Sequence, residues 1–502
     1  MKINYRLSSD IFSTPGNGKR FFIILVLLLA ISLIFYFSGI QDYFIADSLV
    51  GLSLNWRDVW TEFASQGGVD GYRPLGVAWF VLNNTLWGDW VFGHRLMALA
   101  LHAANGALLF LIAYRLKNNL KIASLAALLF ITLPVQVETV QWLAATAGSA
   151  TSTLFFLFSV WFWIKPAGMP GVKQKLLSAI FFVLALFTKE ISAALPISVF
   201  LLDWHLNKVK SVKHINDYLK WVISYWPFAI SFIIYFSGSY FSGTFHQSYA
   251  QTTNGYNNFT ELFNRFDNFF NVMLLPFSGF IEWRIGYVSG LWTIVFLFIL
   301  HLSKSARIFF VLTLLNLFPG IFYFADRLTY LPMIFFSLGI SVLCIDLFRF
   351  LHRIITTDVL KNLFKVFVLL VLTILLVMNY RFVNRKLEPW HNAARLCKTI
   401  PEKVYQLLPN PEPQSQIILV DMTFSPGIPV KLWAIFRETE RRYNRPDVEI
   451  RQIYDGPDVE NLINISSIPY KSDRTRYFIK YFIHADSVGL VSAEEAGVIP
   501  SG

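Results

Sequence analysis

The sequence predicts a polytopic α-helical membrane protein of about eleven spans, followed by a small extracytoplasmic α/β domain. Three observations carry that expectation. Of 502 residues, 55% are hydrophobic and only 15% charged, with a mean hydropathy of +0.49; soluble domains carry about 25% charged residues. Apolar runs approaching the length of a membrane crossing recur from Phe21 to Tyr380. The basic residues between these runs fall in alternate loops, as the positive-inside rule requires of cytoplasmic segments.

Lys2, Arg6, Lys19 and Arg20 precede the uncharged run Phe21–Ile40. A secretory signal has an apolar region of about 7–15 residues, so this run reads as an uncleaved first span with its basic end in the cytoplasm. The next spans are expected at His94–Leu116, Ile122–Leu133, Thr151–Ile164, Leu176–Phe187, Ile191–Trp204 and Tyr218–Phe236. Tyr287–Leu302, Ile308–Phe324, Leu328–Leu347 and Leu363–Tyr380 complete the set. The shorter ones are expected to tilt or to form hairpins that do not fully cross.

Threaded alternately, these spans put Arg115–Lys121, Lys165–Lys175, Asn207–Lys220, Lys304–Arg307 and Arg349–Lys365 inside, and every one is basic. The other side receives a first outer loop (41–91), Glu138, Lys189-Glu190, a large loop (239–286), Asp326 and everything after Arg381. This is the topology of a bacterial-type plasma membrane protein with a cytoplasmic N-terminus. The net charge of +11 is thereby assigned to topology rather than to nucleic acid. Two cysteines, Cys344 and Cys397, are too few for a disulfide framework or a thiolate metal site.

The membrane part is expected to occupy 1–387 and the α/β domain 388–502. In that tail Gln416–Val420, Val448–Tyr454 and Tyr477–Ile483 read as strands, and Val430–Arg442 has helical spacing.

Asp42 is the strongest pointer to chemistry. It stands two residues beyond Ile40, where the first apolar run ends, and an acid kept near the bilayer is costly unless it serves a purpose. Topology brings others to the same edge: Asp47, Tyr72-Arg73-Pro74-Leu75, Glu138, Lys189-Glu190 and Asp326-Arg327. A carboxylate beside cations suits transfer to a hydroxyl, in which the acid takes the proton while Arg or Lys stabilises a leaving phosphate. Each residue also has a plainer reading. Asp42 and Asp47 resemble helix caps, Arg73 could snorkel to the interface, and the remaining pairs could be structural. His94 and His102 share one helical face, and His102, inside the bilayer, is expected to make packing hydrogen bonds. Glu282-Trp283-Arg284 reads as an aromatic-belt anchor.

Several segments together carry a resemblance. They are Tyr72-Arg73-Pro74-Leu75, His94-Arg95-Leu96 with His102 and Asn105, and Pro134 to Glu138 with Trp142. Thr188-Lys189-Glu190 with Leu195-Pro196 and Leu201 to Asp203, and Asp326 to Pro332, complete the series. In that order they resemble the membrane half of the transmembrane and tetratricopeptide-repeat O-mannosyltransferases and their bacterial relatives, over roughly Gln41 to Trp390. The resemblance implies a GT-C-like fold and transfer of a hexose of mannose type from a polyprenyl-phosphate carrier to an acceptor hydroxyl at the outer face. By the same resemblance Asp42 is the catalytic base and Glu138 a second catalytic carboxylate. Asp47, Tyr72, Arg73, His94, Lys189, Glu190, Asp326 and Arg327 are then expected to hold substrate. Gln41 stands where relatives often have a further acid, and the tail lacks tetratricopeptide repeats, so the acceptor (protein, glycan or lipid) is left open. No motif demands a cofactor; Glu138 with Asp42 could hold one divalent ion through oxygen ligands.

Two other functions fit the composition. A lipid-linked sugar transporter or flippase would place charges at the bilayer midplane, with internal repeats, whereas here the charges gather at one edge. A scaffold working through its outer domain would leave the ordered motifs without a physical reason.

Overall fold

The computed structural model describes residues 17–45, 48–64, 72–164, 171–206, 219, 222–242, 269, 272–273, 303–318, 325–420, 433–453, 475–482 and 487–491. In chain order its helices are α1 (Asn17–Tyr36), α2 (Ser48–Leu52), α3 (Trp56–Ala64), α4 (Pro74–Trp87), α5 (Val91–Lys117), α6 (Leu120–Thr132) and α7 (Val137–Gln141). They continue with α8 (Leu143–Trp163), α9 (Gly171–Thr188), α10 (Leu195–His205), α11 (Trp226–Phe241), α12 (Lys304–Leu317), α13 (Tyr330–Ile354), α14 (Asp358–Leu407) and α15 (Trp433–Tyr443). Four strands follow the long helix: β1 (Gln416–Val420), β2 (Glu449–Ile453), β3 (Arg476–Phe482) and β4 (Ser487–Val491).

Among the described residues six helical segments are long and apolar enough to cross a membrane, or seven if the bent pair formed by α6 and Pro134–Gln141 is one span. The expected span Tyr287–Leu302 lies outside the described residues, as do Asp47 and Glu282-Trp283-Arg284. Three further expected spans take the form of α10, α11 and α12, of 11, 16 and 14 residues. At 1.5 Å per residue their described parts fall short of a bilayer core of about 30 Å, and residues 319–324 of the last of these expected spans lie outside the described residues. The span expected at Thr151–Ile164 starts earlier, at Leu143. Its first two turns, Leu143 to Ala150, are mostly small residues that add little hydropathy yet are almost all buried.

The chain divides into two compact units. The first comprises residues 1–38, 55–86 and 93–386. Its core is one apolar cluster in which Phe110, Phe130, Phe156, Phe182, Phe309 and Tyr330 are fully buried. Polar groups inside it are satisfied in chains. The Tyr330 hydroxyl donates to His102 Nδ1 at 2.8 Å, and His102 Nε2–H donates to the Ile131 carbonyl at 3.2 Å, which fixes the imidazole tautomer. Asn105 donates to the Ala150 carbonyl and to the Tyr330 oxygen. Asp203 accepts from Trp163 and from Tyr225, each at 2.8 Å. These residues of the ordered motifs are joints between helices.

Helix α14 changes character along its length. Val359, Leu363, Val366, Phe367, Leu369 and Leu370 are exposed, the apolar all-round surface of a helix that meets lipid.

The second unit comprises residues 39–54, 87–92 and 387–502. Here α14 buries Leu387, Trp390, Ala394 and Cys397, a stripe at i, i+3 and i+4 spacing. The sheet order is β2-β1-β3-β4, with β1 parallel to both neighbours and β4 antiparallel to β3. Ile417, Ile418 and Leu419 of the central strand are all buried, which is why its sequence is a continuous apolar run rather than an alternating one. Two segments from the first outer loop join this unit. Tyr43 hydrogen-bonds Glu438, and Asp89 accepts from Arg441, so α15 holds both.

Candidate functional site

Four helix junctions of the first unit supply a polar cluster. Pro134 cannot continue α6, and a short 3-10 turn leads into α7, which carries Glu138. Another 3-10 turn, Asp326–Thr329, precedes α13 and carries Arg327. Glu138 accepts from the Arg327 backbone N–H at 3.2 Å and from its guanidinium. The guanidinium also lies over the Trp142 ring, 4.6 Å from its centre. The Glu138 side chain is 5% exposed and that of Arg327 16%, so this pair is largely withdrawn from water.

A second pair stands at the water edge. Arg73 donates through Nε and Nη2 to the two oxygens of Glu190, at 3.0 and 2.6 Å, the two-pronged geometry that suits a carboxylate or a phosphate. Their side chains are 32% and 48% exposed. Tyr72 anchors the backbone that presents Arg73: its ring is buried edge-on against Phe63 and Phe187, and its hydroxyl donates to the Phe63 carbonyl. Glu62 also faces Arg73; burial raises its carboxyl pKa, and Arg73 partly opposes the shift.

Lys189 forms the third member. A π-helical turn, Thr146–Ala150, inside α8 brings Ser149 to Lys189, whose ammonium donates to Ser149 Oγ at 2.8 Å. Such turns insert one extra residue and re-aim the side chains around them. Lys189 is buried, and Arg73 and Arg327 are both within electrostatic reach of it. Burial and these two guanidinia pull its pKa down to about 7, against a weaker opposing effect of Glu190 and Glu138. Desolvation raises the Glu190 carboxyl, but the charge and hydrogen bonds of Arg73 outweigh it and hold that pKa at about 2. Arg73 and Arg327 are each paired with a carboxylate, Glu190 and Glu138, with Glu62 also facing Arg73. Among the described residues no carboxylate lies within ion-pair distance of Lys189.

The remaining expected residues are dispersed. Asp326 pairs with Lys386 and lies within electrostatic reach of Glu138. His94 is buried within α5, and its neighbour Arg95 donates to the Gln141 carbonyl at the end of α7. Asp42 belongs to the second unit, where it accepts from His391 Nδ1 at 2.7 and 2.8 Å. Sequence reasoning did not single out His391 or Ser149, and it named Arg95 only within the His94-Arg95-Leu96 motif. His391 stands 349 positions from its partner, and Ser149 depends on a π-helical turn that no residue pattern announces.

Among the described residues no three His, Cys, Asp or Glu side chains are grouped to hold a metal ion. Glu138 is instead occupied by Arg327, and Asp42 by His391.

Fold and cluster together define a helical protein with membrane-length apolar segments and a charged polar cluster at its helix junctions. No family model matches the sequence, and no curated protein matches it. Among solved structures the chain is similar to an archaeal oligosaccharyltransferase, AglB from Archaeoglobus fulgidus, in complex with an inhibitory peptide and a dolichol-phosphate. The TM-score is 0.47 and the identity 11%, over 87% of this chain and 65% of that one. The chain therefore spans 65% of the length of that structure.

Proposed function

We propose that this protein is a membrane glycosyltransferase that moves a hexose, of mannose type, from a polyprenyl-phosphate carrier to an acceptor hydroxyl at the non-cytoplasmic face. The observation that supports this reading is the buried ammonium of Lys189, held by a hydroxyl and accompanied by two guanidinia. A buried cation without its own counter-ion is costly, and an incoming phosphate would supply that charge. Lys189, Arg73 and Arg327 would hold the phosphate as the bond from sugar C1 to phosphate oxygen breaks and the electron pair passes to that oxygen. Glu138 fixes Arg327 in place for this role. By the family resemblance alone, Asp42 is proposed as the base that draws the proton from the acceptor hydroxyl.

The test is sugar release from polyprenyl-phosphate hexose by the purified protein, with Asp42→Asn and Lys189→Met as controls that still fold. Movement of the intact carrier across a vesicle membrane without bond cleavage would instead indicate a transporter.

A further inference from the structure

We infer that the junction of α5, α6 and α13 holds the headgroup of an anionic phospholipid from the surrounding membrane.

The three elements line a cavity of about 430 Å³, a volume that suits a small polar headgroup. It lies within the first unit, at the end that carries the basic segments Arg115–Lys121 and Arg349–Lys365. Lys121, in the first turn of α6, and Arg349, near the end of α13, both line it, and both side chains are exposed. Among the described residues no carboxylate lines the cavity. Asp346 lies 3.5 Å from Arg349, but it also accepts from the Ser303 hydroxyl at 2.8 Å. Lys121 has no ion-pair partner among the described residues. The cavity is therefore positive.

The turn that presents Lys121 is fixed by its own hydrogen bonds. Asn118 takes a φ of 46°, which asparagine tolerates, and its backbone N–H donates to the Tyr114 carbonyl. Asn119 caps α6, its Oδ1 accepting from the backbone N–H groups of Lys121 and Ile122 at 3.0 and 3.2 Å. With that oxygen engaged, the Asn119 amide nitrogen is left as a donor. Ammonium, guanidinium and amide together offer donors for phosphate oxygens.

The other side of the cavity is apolar. Ile345 and Phe348 of α13 form it, and the Phe348 ring stacks on Phe364 of α14 with centres 5.4 Å apart. On the adjoining turns of α13, Leu347, Phe350 and Ile354 are exposed, a surface suited to acyl chains. A free anion would use the cations and gain nothing from these surfaces; a phosphodiester carried on a lipid uses both. A zwitterionic lipid would bring an ammonium for which the lining has no acid. Charge complementarity thus selects an anionic headgroup, as in other basic pockets between membrane helices.

The test titrates the full-length protein in detergent with phosphatidylglycerol, with phosphatidylethanolamine of the same acyl chains, and with inorganic phosphate, reading bound species by native mass spectrometry. Phosphatidylglycerol is expected to bind at least about tenfold more tightly than phosphatidylethanolamine. Lys121→Gln, a change at an exposed side chain, should lose about fivefold of that preference, and Lys121→Gln with Arg349→Gln should abolish it. Equal binding of the two lipids, or an undiminished preference in the double variant, would overturn the inference. Displacement of phosphatidylglycerol by inorganic phosphate at equal concentration would assign the cavity to a soluble anion and overturn it as well.

Discussion

Lys189 donates to Ser149 across a π-helical turn, at 2.8 Å, and it is the buried cation of a cluster that already holds two guanidinium–carboxylate pairs. Its pKa, pulled down to about 7 from an ordinary 10.5 by burial and the neighbouring guanidinia, places its titration near neutrality. Because the folded value is depressed, the cost of burying the charged form is present in full below about pH 7 and is relieved as pH rises toward 10.5. Binding of a phosphate requires the charged form. The affinity of a polyprenyl-phosphate analogue should therefore fall by up to about tenfold per pH unit above neutrality. Calorimetric titration at pH 6 and 8.5 measures this. In Lys189→Arg, where the charge persists, the profile should be flat; a flat profile in the wild-type protein would remove Lys189 from the phosphate site.

Glu138→Ala would strand the Arg327 guanidinium in a largely buried position. Breaking such a pair costs about 3–5 kcal/mol, so a clear drop in the unfolding temperature in detergent is expected. Removing both charges in Glu138→Gln with Arg327→Gln should recover part of the loss. An unchanged melting temperature in Glu138→Ala would show that water already solvates this pair.

The Arg73–Glu190 pair should behave differently because both side chains are about a third to a half exposed. Its contribution to stability is at most about 1 kcal/mol. It is lost only in acid, as pH falls from the ordinary carboxylate value of 4.5 toward the Glu190 value of about 2. Arg73→Ala should leave folding intact while weakening carrier binding about tenfold or more. Arg73→Lys should fail to restore it, since an ammonium cannot reproduce the fork. Equal binding by wild-type and Arg73→Ala protein would make this a purely structural pair.

Gly238 tests the support behind Arg73. A Cβ there would lie 2.7 Å from the Tyr72 hydroxyl and 2.9 Å from its ring. Gly238→Ala should therefore displace Tyr72 and destabilise the protein by about 1–3 kcal/mol, with reduced carrier binding as a secondary effect. Unfolding curves that superimpose on the wild type would show that this packing yields freely.

Much of the architecture was legible from residue order. Hydropathy marks α1, α5, α9, α13 and the first half of α14 because those segments must satisfy lipid on their outer faces. Pro134 and the Asp326-Arg327 junction were equally visible, since each interrupts an apolar run. The start of α8 was not: residues from Leu143 to Ala150 are helical because their small side chains are buried by neighbours. Asp42, Glu138, Arg73, Lys189 and Arg327 were legible as candidates because charge near a bilayer is expensive. Their partners were not, because an ion pair follows from distance in space and not from spacing along the chain.

The sequence alone therefore determined which segments are apolar, where charge interrupts them, and that the tail carries strands, since each of these follows from local composition and periodicity. Only the tertiary structure decided that Glu138 belongs to Arg327, Glu190 to Arg73 and Asp42 to His391. Those choices depend on which helix junctions meet, and helix packing settles that across separations of 189, 117 and 349 residues.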